Sequence, residues 1–282
     1  MGLDSLLKAR NNSSGSPSLT PSIEQHFIKS GRIDSDVWFD KQTRFHPSSV
    51  SYWGVCSRQY YIINNREKIG FEVSPPDPHA SSLLRIFEHG HSIHQMYQDK
   101  ILGPAQVLYG KWRLGDEEII GFQPDSEWSY VEPRIFWSEY RLSGYCDGIV
   151  NVGGKWFVLE IKSSNDNSFR YIKSQSAPQA YHARQALLYC ECPMDIEVPG
   201  SIEGAIILYI NKNSGEEQDF FVPRDTKAVQ SVLNNMKSAI DDLENLSIPQ
   251  RVSDCSSKNS KRSKDCAVCN QCWALGDSYN DR

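Results

Sequence analysis

The chain has 282 residues, of which 39% are apolar, and carries 30 basic against 35 acidic side chains for a formal charge of −5. That length and apolar share suit one elaborated domain with a real core and exclude wholesale disorder. The acidic balance excludes an overall positive field for nucleic acid, so a phosphate contact has to come from a local patch. No run approaches the roughly 20 consecutive apolar residues of a bilayer helix.

The opening Met1-Gly2-Leu3-Asp4-Ser5-Leu6 lacks the apolar core of a signal peptide, and Leu6 stands where a myristoylation site wants Ser or Thr, so the expected address is cytoplasmic with no membrane partner. Residues 8–22 (KARNNSSGSPSLTPS) are too polar to offset their ordering entropy, and residues 1–20 are expected to form a flexible leader. The aromatic-rich run from Ser51 to Ile63 and the segment from Ser81 to Leu102, with apolar Leu84, Phe87, Ile93, Met96 and Tyr97, predict two helical regions.

Glu139 to Val152 and Lys155 to Lys162 are rich in β-formers and separated by Gly153-Gly154, which predicts an antiparallel pair joined by a tight turn. Pro178 to Cys190 reads as a helix, and Gly204 to Ile210 with Gln218 to Val222 as a second hairpin around Asn213-Ser214-Gly215. From Asp225 to Leu246, apolar Val229, Val232, Leu233, Met236, Ile240 and Leu243 recur at three and four, the strongest helical signal in the chain. Arg251 to Asp265 is polar and locally basic and leads into Cys266-Ala267-Val268-Cys269-Asn270-Gln271-Cys272. Half of the 8 cysteines gather at this end of a long chain without a signal peptide, a pattern of metal or cluster ligation rather than of a disulfide framework.

On the predicted strand, Glu160 and Lys162 project from one face with Val158, while Leu159 and Ile161 point the other way. Hairpin pairing would bring the Asp147 carboxylate close to that of Glu160, and two such carboxylates repel unless a cation lies between them. Oxygen ligands suit magnesium or manganese, which can activate water and stabilise charge on a phosphodiester. Lys162 would then position or help deprotonate that water. An isolated E-x-K is more often a solvated ion pair, so its weight comes from the company it keeps.

That company is Gly144-Tyr145-Cys146-Asp147, then Glu160-Ile161-Lys162, then Gln185-Ala186-Leu187-Leu188-Tyr189 on the following helix, preceded by Gly90-His91-Ser92-Ile93-His94. In this order the motifs resemble the PD-(D/E)XK nuclease superfamily, specifically its RecB-like exonuclease branch. The resemblance implies an α/β, restriction-endonuclease-like fold with a mixed central sheet flanked by helices, over residues 21–250 with core motifs at 90–189. It implies metal binding by His94 (His91 as second choice), Asp147 and Glu160, a role for Lys162 on the attacking water, and Gln185 and Tyr189 lining the site.

The element Cys56-Ser57-Arg58-Gln59-Tyr60-Tyr61 resembles the C-x-R-x-x-Y opening of iron–sulfur members of this branch, of the AddB and CRISPR-associated kind. Such a resemblance implies a [4Fe–4S] cluster joining Cys56 to the segment 251–282 through Cys266, Cys272 and one of Cys255 or Cys269. A zinc site made by Cys255, Cys266, Cys269 and Cys272 is the alternative. Cys146, Cys190 and Cys192 are expected to be ordinary thiols.

The reading is a magnesium- or manganese-dependent DNA exonuclease, acting on a free end or single-stranded region in recombination, repair or viral genome processing. A bacterial or phage-infected cell and a helicase or recombination partner would go with it. The basic stretch Lys258 to Lys264 and the aromatics Trp53, Tyr60 and Tyr61 are candidates for strand contact, against the simpler reading of helix packing and a solvated loop. Competing readings are a non-catalytic DNA-binding or recombination scaffold and an RNA hydrolase on the same fold.

Overall fold

A computed structural model of the chain describes residues 19–30, 40–73 and 81–276, so the expected leader up to residue 18 lies outside the described residues. The N-terminal part is helical: α1 (Thr20–Ser30), α2 (Pro47–Trp53), α3 (Ser57–Asn64), α4 (Arg66–Ile69) and α5 (Ser81–Met96). Pro47 opens α2, where a missing N–H costs nothing. The predicted helix from Ser81 to Leu102 does run to its expected end, but its last residues, Tyr97–Leu102, form a π-helical turn.

The strands β1 (Leu108–Leu114), β2 (Glu117–Phe122), β3 (Ser129–Val131), β6 (Gly148–Val152), β7 (Lys155–Ser164), β8 (Ile202–Asn211) and β9 (Glu217–Pro223) form one mixed sheet. Its order is β2-β1-β6-β7-β8-β9, with β3 also pairing to β1; β7 and β8 run parallel and the other pairs antiparallel. The crossover from β7 to β8 carries α6 (Asp166–Ser174) and α7 (Ala180–Glu191). The helix α8 (Thr226–Glu244) begins at Asp225, whose carboxylate accepts from the N–H groups of Lys227 and Ala228 at 3.0 and 3.2 Å. The mixed α/β class expected from the sequence is the one observed.

Apolar layers cover both faces of this sheet. Val158, Ala205 and Ile207 pack with Ala186 and Leu188 of α7 and with Val229, Leu233 and Met236 of α8. On the other face, Leu159, Ile161, Leu108 and Trp112 pack with Ile93 and Tyr97. Each side chain so buried contributes roughly 1.5–3 kcal/mol before its entropy cost. A third cluster joins Ile62 and Ile63 of α3 to Val268 and Leu275, tying this helix to the C-terminal segment.

The turn between β6 and β7 is as the sequence predicts: Val152 pairs with Lys155, and Gly153 and Gly154 take φ of 59° and 78°, the left-handed pair a two-residue hairpin requires. The run from Glu139 to Val152 is not one strand, however. A 3₁₀ turn at Ser138–Tyr140 is followed by β5 (Leu142–Tyr145), which pairs with β4 (Arg134–Trp137) in a separate two-stranded sheet. The chain then crosses to the main sheet through Cys146 and Asp147. Ile135 and Leu142 of the small sheet pack with Phe45 and Val50 and share one core cluster with Ile149 of β6, while Val150 faces the other core. Gly144 permits the approach, because a Cβ there would lie 3.1 Å from Pro47 Cδ at the start of α2.

Candidate active site

Asp147 lies off both ladders, and its freed carboxylate turns to β7. Its Oδ2 accepts from the Ile161 N–H at 2.6 Å, and the pairing of Gly148 with Leu159 sets Asp147 beside Glu160. Alternation along β7 is as expected: Val158 joins the core under α7, and Leu159 and Ile161 join the opposite one. Glu160 and Lys162 therefore share the α7 side. Glu160 is only 1% exposed; its Oε1 pairs with Lys162 Nζ, while its Oε2 is buried with no hydrogen-bond partner.

The helix α5 brings His94 to the same place, with Nδ1 3.4 Å from Asp147 Oδ1. Its neighbours His89 and His91 are exposed. A further carboxylate, Glu132, arrives from the link between β3 and β4, and sequence reasoning missed it. The π-helical turn after α5 holds it: Gln98 Nε2 donates to Glu132 Oε1 at 3.0 Å and to the Asp147 carbonyl at 2.8 Å. Asp99 accepts from the Tyr130 N–H at 2.7 Å, which anchors β3 just ahead of Glu132. A π turn adds a residue to the helical register and so re-aims Gln98 and Asp99 at this link.

Ligand atoms of His94, Glu132 and Asp147 all lie within 4.8 Å of one another, the only such group among the described residues. The expected set of His94, Asp147 and Glu160 is thus brought together with a difference: Glu132 completes the compact trio, and Glu160 stands beside it, engaged by Lys162.

Burial works against an ionised Asp147, yet the His94 ring, Lys162 and the Ile161 N–H outweigh it and hold its carboxyl below the usual range. Burial, then the Asp147 charge, push Glu160 up to about 8. The same two causes raise Glu132. Burial alone would lower Lys162 and His94, but the neighbouring carboxylates win, raising both and keeping Lys162 an ammonium. Three crowded carboxyls and an orphaned oxygen make a site short of positive charge. Two carboxylates and an imidazole in reach of one point suit a divalent cation of the magnesium or manganese type.

Gln185 and Tyr189 do meet, with the Gln185 amide donating to the Tyr189 hydroxyl at 3.1 Å. They are 7% and 4% exposed, so they back Glu160 from within the core rather than open onto a substrate.

At the N-terminal end of α3, Cys56, Cys255, Cys266, Cys269 and Cys272 line one apolar cavity of about 20 Å³. Burial raises the Cys56 thiol and pushes Cys266 up to about 12; each is also affected by Cys255 and Cys272, and Cys266 by Cys56. Arg58 clamps this end. Its guanidinium donates to the carbonyls of Pro249, Cys272 and Gly276 at 2.8, 3.1 and 2.5 Å. The next aromatics do not serve strand contact. Tyr60 stacks on Phe45, and Tyr61 donates to the Leu246 carbonyl at 3.3 Å, each ring 4% exposed. Cys146, Cys190 and Cys192 are buried thiols.

Among the described residues, no helix is long and apolar enough to cross a membrane. No family model matches the chain, and no curated protein sequence matches it. Solved structures do resemble it at low identity. An alkaline exonuclease, LHK-Exo, from Laribacter hongkongensis is 14% identical, with 75% of this chain and 94% of that one covered and a TM-score of 0.45. The same protein in complex with dAMP gives 12% identity, the same coverage of 75% and 94%, and a TM-score of 0.44. The protein SSO0001 is 14% identical, with 91% of this chain and 96% of that one covered and a TM-score of 0.38.

Proposed function

We propose that the chain is a metal-dependent deoxyribonuclease of the PD-(D/E)XK kind, acting as an exonuclease on DNA ends. The observation that carries this is the meeting of His94, Glu132, Asp147, Glu160 and Lys162, from four separate segments, where the chain crosses between its two sheets. A buried acid with an unpartnered oxygen costs stability, which a purely structural site would not keep. His94, Glu132 and Asp147 would hold the metal, with the Glu160 Oε2 a further donor. A bound divalent cation supplies an activated water and charge stabilisation at the scissile phosphate.

The chain's own groups do the rest. Gln98 fixes the Glu132 carboxylate and Ile161 N–H fixes that of Asp147, so neither has to reorganise as charge develops. Lys162, an ammonium beside Glu160, donates hydrogen bonds to the attacking water or to the phosphoryl oxygens. Core packing of Val158 and Tyr189 beneath keeps bulk water from that side of Glu160.

The second part of the proposal is a [4Fe–4S] cluster held by Cys56, Cys255, Cys266 and Cys272, with Cys269 outside it. Cys255 and Cys272 lie close enough to both Cys56 and Cys266 to raise those two thiols, which supports the choice of Cys255. The convergence of Cys56 with the C-terminal cysteines on one cavity supports a group that joins the two segments.

The test is manganese-supported digestion of linear and covalently closed DNA by anaerobically prepared protein, beside Lys162→Ala. Wild type should degrade linear DNA only, and the variant should lose about 10²-fold or more. No digestion of any substrate would refute the nuclease reading. For the cluster, iron and sulfide content should fall with Cys56→Ser and Cys255→Ser but not with Cys269→Ser; stoichiometric zinc in a colourless protein would refute it.

A further inference from the structure

Outside the metal-type residues, a row of aromatic rings leads away from Lys162. Tyr181, on the first turn of α7, is close enough to Lys162 for their charges to interact. The Tyr52 ring of α2 meets Tyr181 edge-on, centroids 5.0 Å apart, and Trp53 at 4.8 Å. Tyr52 is 44% exposed, and Tyr181 and Trp53 are half-buried, unlike the enclosed Tyr60 and Tyr61. The short helix α9 (Lys261–Lys264) from the basic stretch closes the row. Lys261 Nζ lies 5.9 Å from the Tyr52 centroid and 5.5 Å from that of Trp53, and donates to the Tyr52 hydroxyl at 3.4 Å. Arg184 of α7 fixes the two helices against each other, donating twice to the Ser51 carbonyl at 3.1 and 2.7 Å.

Exposed rings bind unpaired bases through their faces, and cations at intervals hold the backbone. We propose that Tyr52, Tyr181 and Lys261 form a ledge along which a single nucleic-acid strand reaches the candidate active site. This rests on the nuclease reading above and adds the substrate class: an unpaired strand, since paired bases offer no free face to these rings. The charge pattern commits the occupant. An ammonium stands at each end of the row, Lys261 outermost and Lys162 innermost, and the inner end is where a phosphodiester would be cut. The chain needs no positive net charge for this, because the cations are placed locally.

The test is fluorescence anisotropy of the full-length protein in EDTA, with a labelled deoxythymidine oligomer and a blunt duplex of equal length. Tyr52→Ala and Tyr181→Ala should each weaken single-strand binding about five- to fifty-fold. Lys261→Ala should lower the slope of log affinity on log salt by about 0.7, the share of one phosphate contact. Tyr52→Phe and Lys261→Arg should bind as wild type, and duplex binding should change less than twofold in all; unchanged urea midpoints show that the alanine variants remain folded. If the alanine variants bind the oligomer as wild type does, or lose duplex binding equally, the ledge is refuted while the nuclease reading stands. If wild type binds neither oligomer and digests no DNA with manganese, both fall.

Discussion

Replacing Arg58 by Met tests how the C-terminal segment is held. The guanidinium is 3% exposed and donates to three carbonyls, those of Pro249, Cys272 and Gly276, so one side chain of α3 joins three points of the C-terminal segment. A hydrogen bond to a charged donor contributes about 1.5–3 kcal/mol, so three would sum to about 4–9 kcal/mol if independent. They are not independent, some of the carbonyls regain water when the segment lifts, and the unpartnered Arg58 Nε relieves its own desolvation on removal. The expected cost of Arg58→Met is therefore about 3–5 kcal/mol, with the methylene packing retained. Much of it should appear as local release of the segment rather than global unfolding. The assay is native-state trypsin cleavage at Lys258, Lys261 and Lys264, where 3–5 kcal/mol corresponds to an increase of roughly 10²- to 5 × 10³-fold in cleavage rate when opening is in rapid equilibrium. Arg58→Lys, a single point donor, should fall between. Cleavage within about threefold of wild type would refute the claim that this clamp holds the C-terminal segment to α3.

His182 supplies a pH dependence: burial, then Lys162, hold its ring down to about 3, and its Nδ1 lies 2.8 Å from the Tyr209 hydroxyl. The unfolded chain takes up that proton near 6.5 and the folded one does not, so stability should fall as pH drops below about 6.5, by up to about 1.4 kcal/mol per unit. Urea unfolding of His182→Asn should show a shallower loss between pH 6.5 and 4.5; identical slopes would rule this out. Gln98→Met leaves the fold but frees Glu132, and should weaken manganese binding about 10- to 100-fold in a thermal-shift titration; unchanged affinity would mean Glu132 is not held for a metal. Leu188→Ala, deep between α7 and the sheet, should cost about 2–5 kcal/mol by denaturant unfolding, and a loss under 1 kcal/mol would contradict the packing described.

Much of the scaffold was legible from the chain because the signals involved are local. Alternation along β7 separates Glu160 and Lys162 from Leu159 and Ile161, the Gly153-Gly154 pair dictates the hairpin turn, and the three-and-four spacing from Val229 onward dictates α8. Each depends on the backbone period over fewer than twenty residues. The order of motifs around His94, Asp147, Glu160 and Lys162 likewise named the residues that the fold brings together. What tertiary structure decided is everything that depends on where distant segments meet. Glu132 has no spacing relation to Asp147, and only the π turn with Gln98 brings it there. Asp147 is free to face β7 because the chain changes sheets beside it, Leu142–Tyr145 pairing with β4 and Gly148–Val152 with β7. Tyr60 and Tyr52 look alike as residues, yet α3 turns Tyr60 inward onto Phe45 while α2 leaves Tyr52 exposed beneath Lys261, more than two hundred residues away. Local periodicity tells which face a side chain takes; only the packing of elements tells what stands opposite that face.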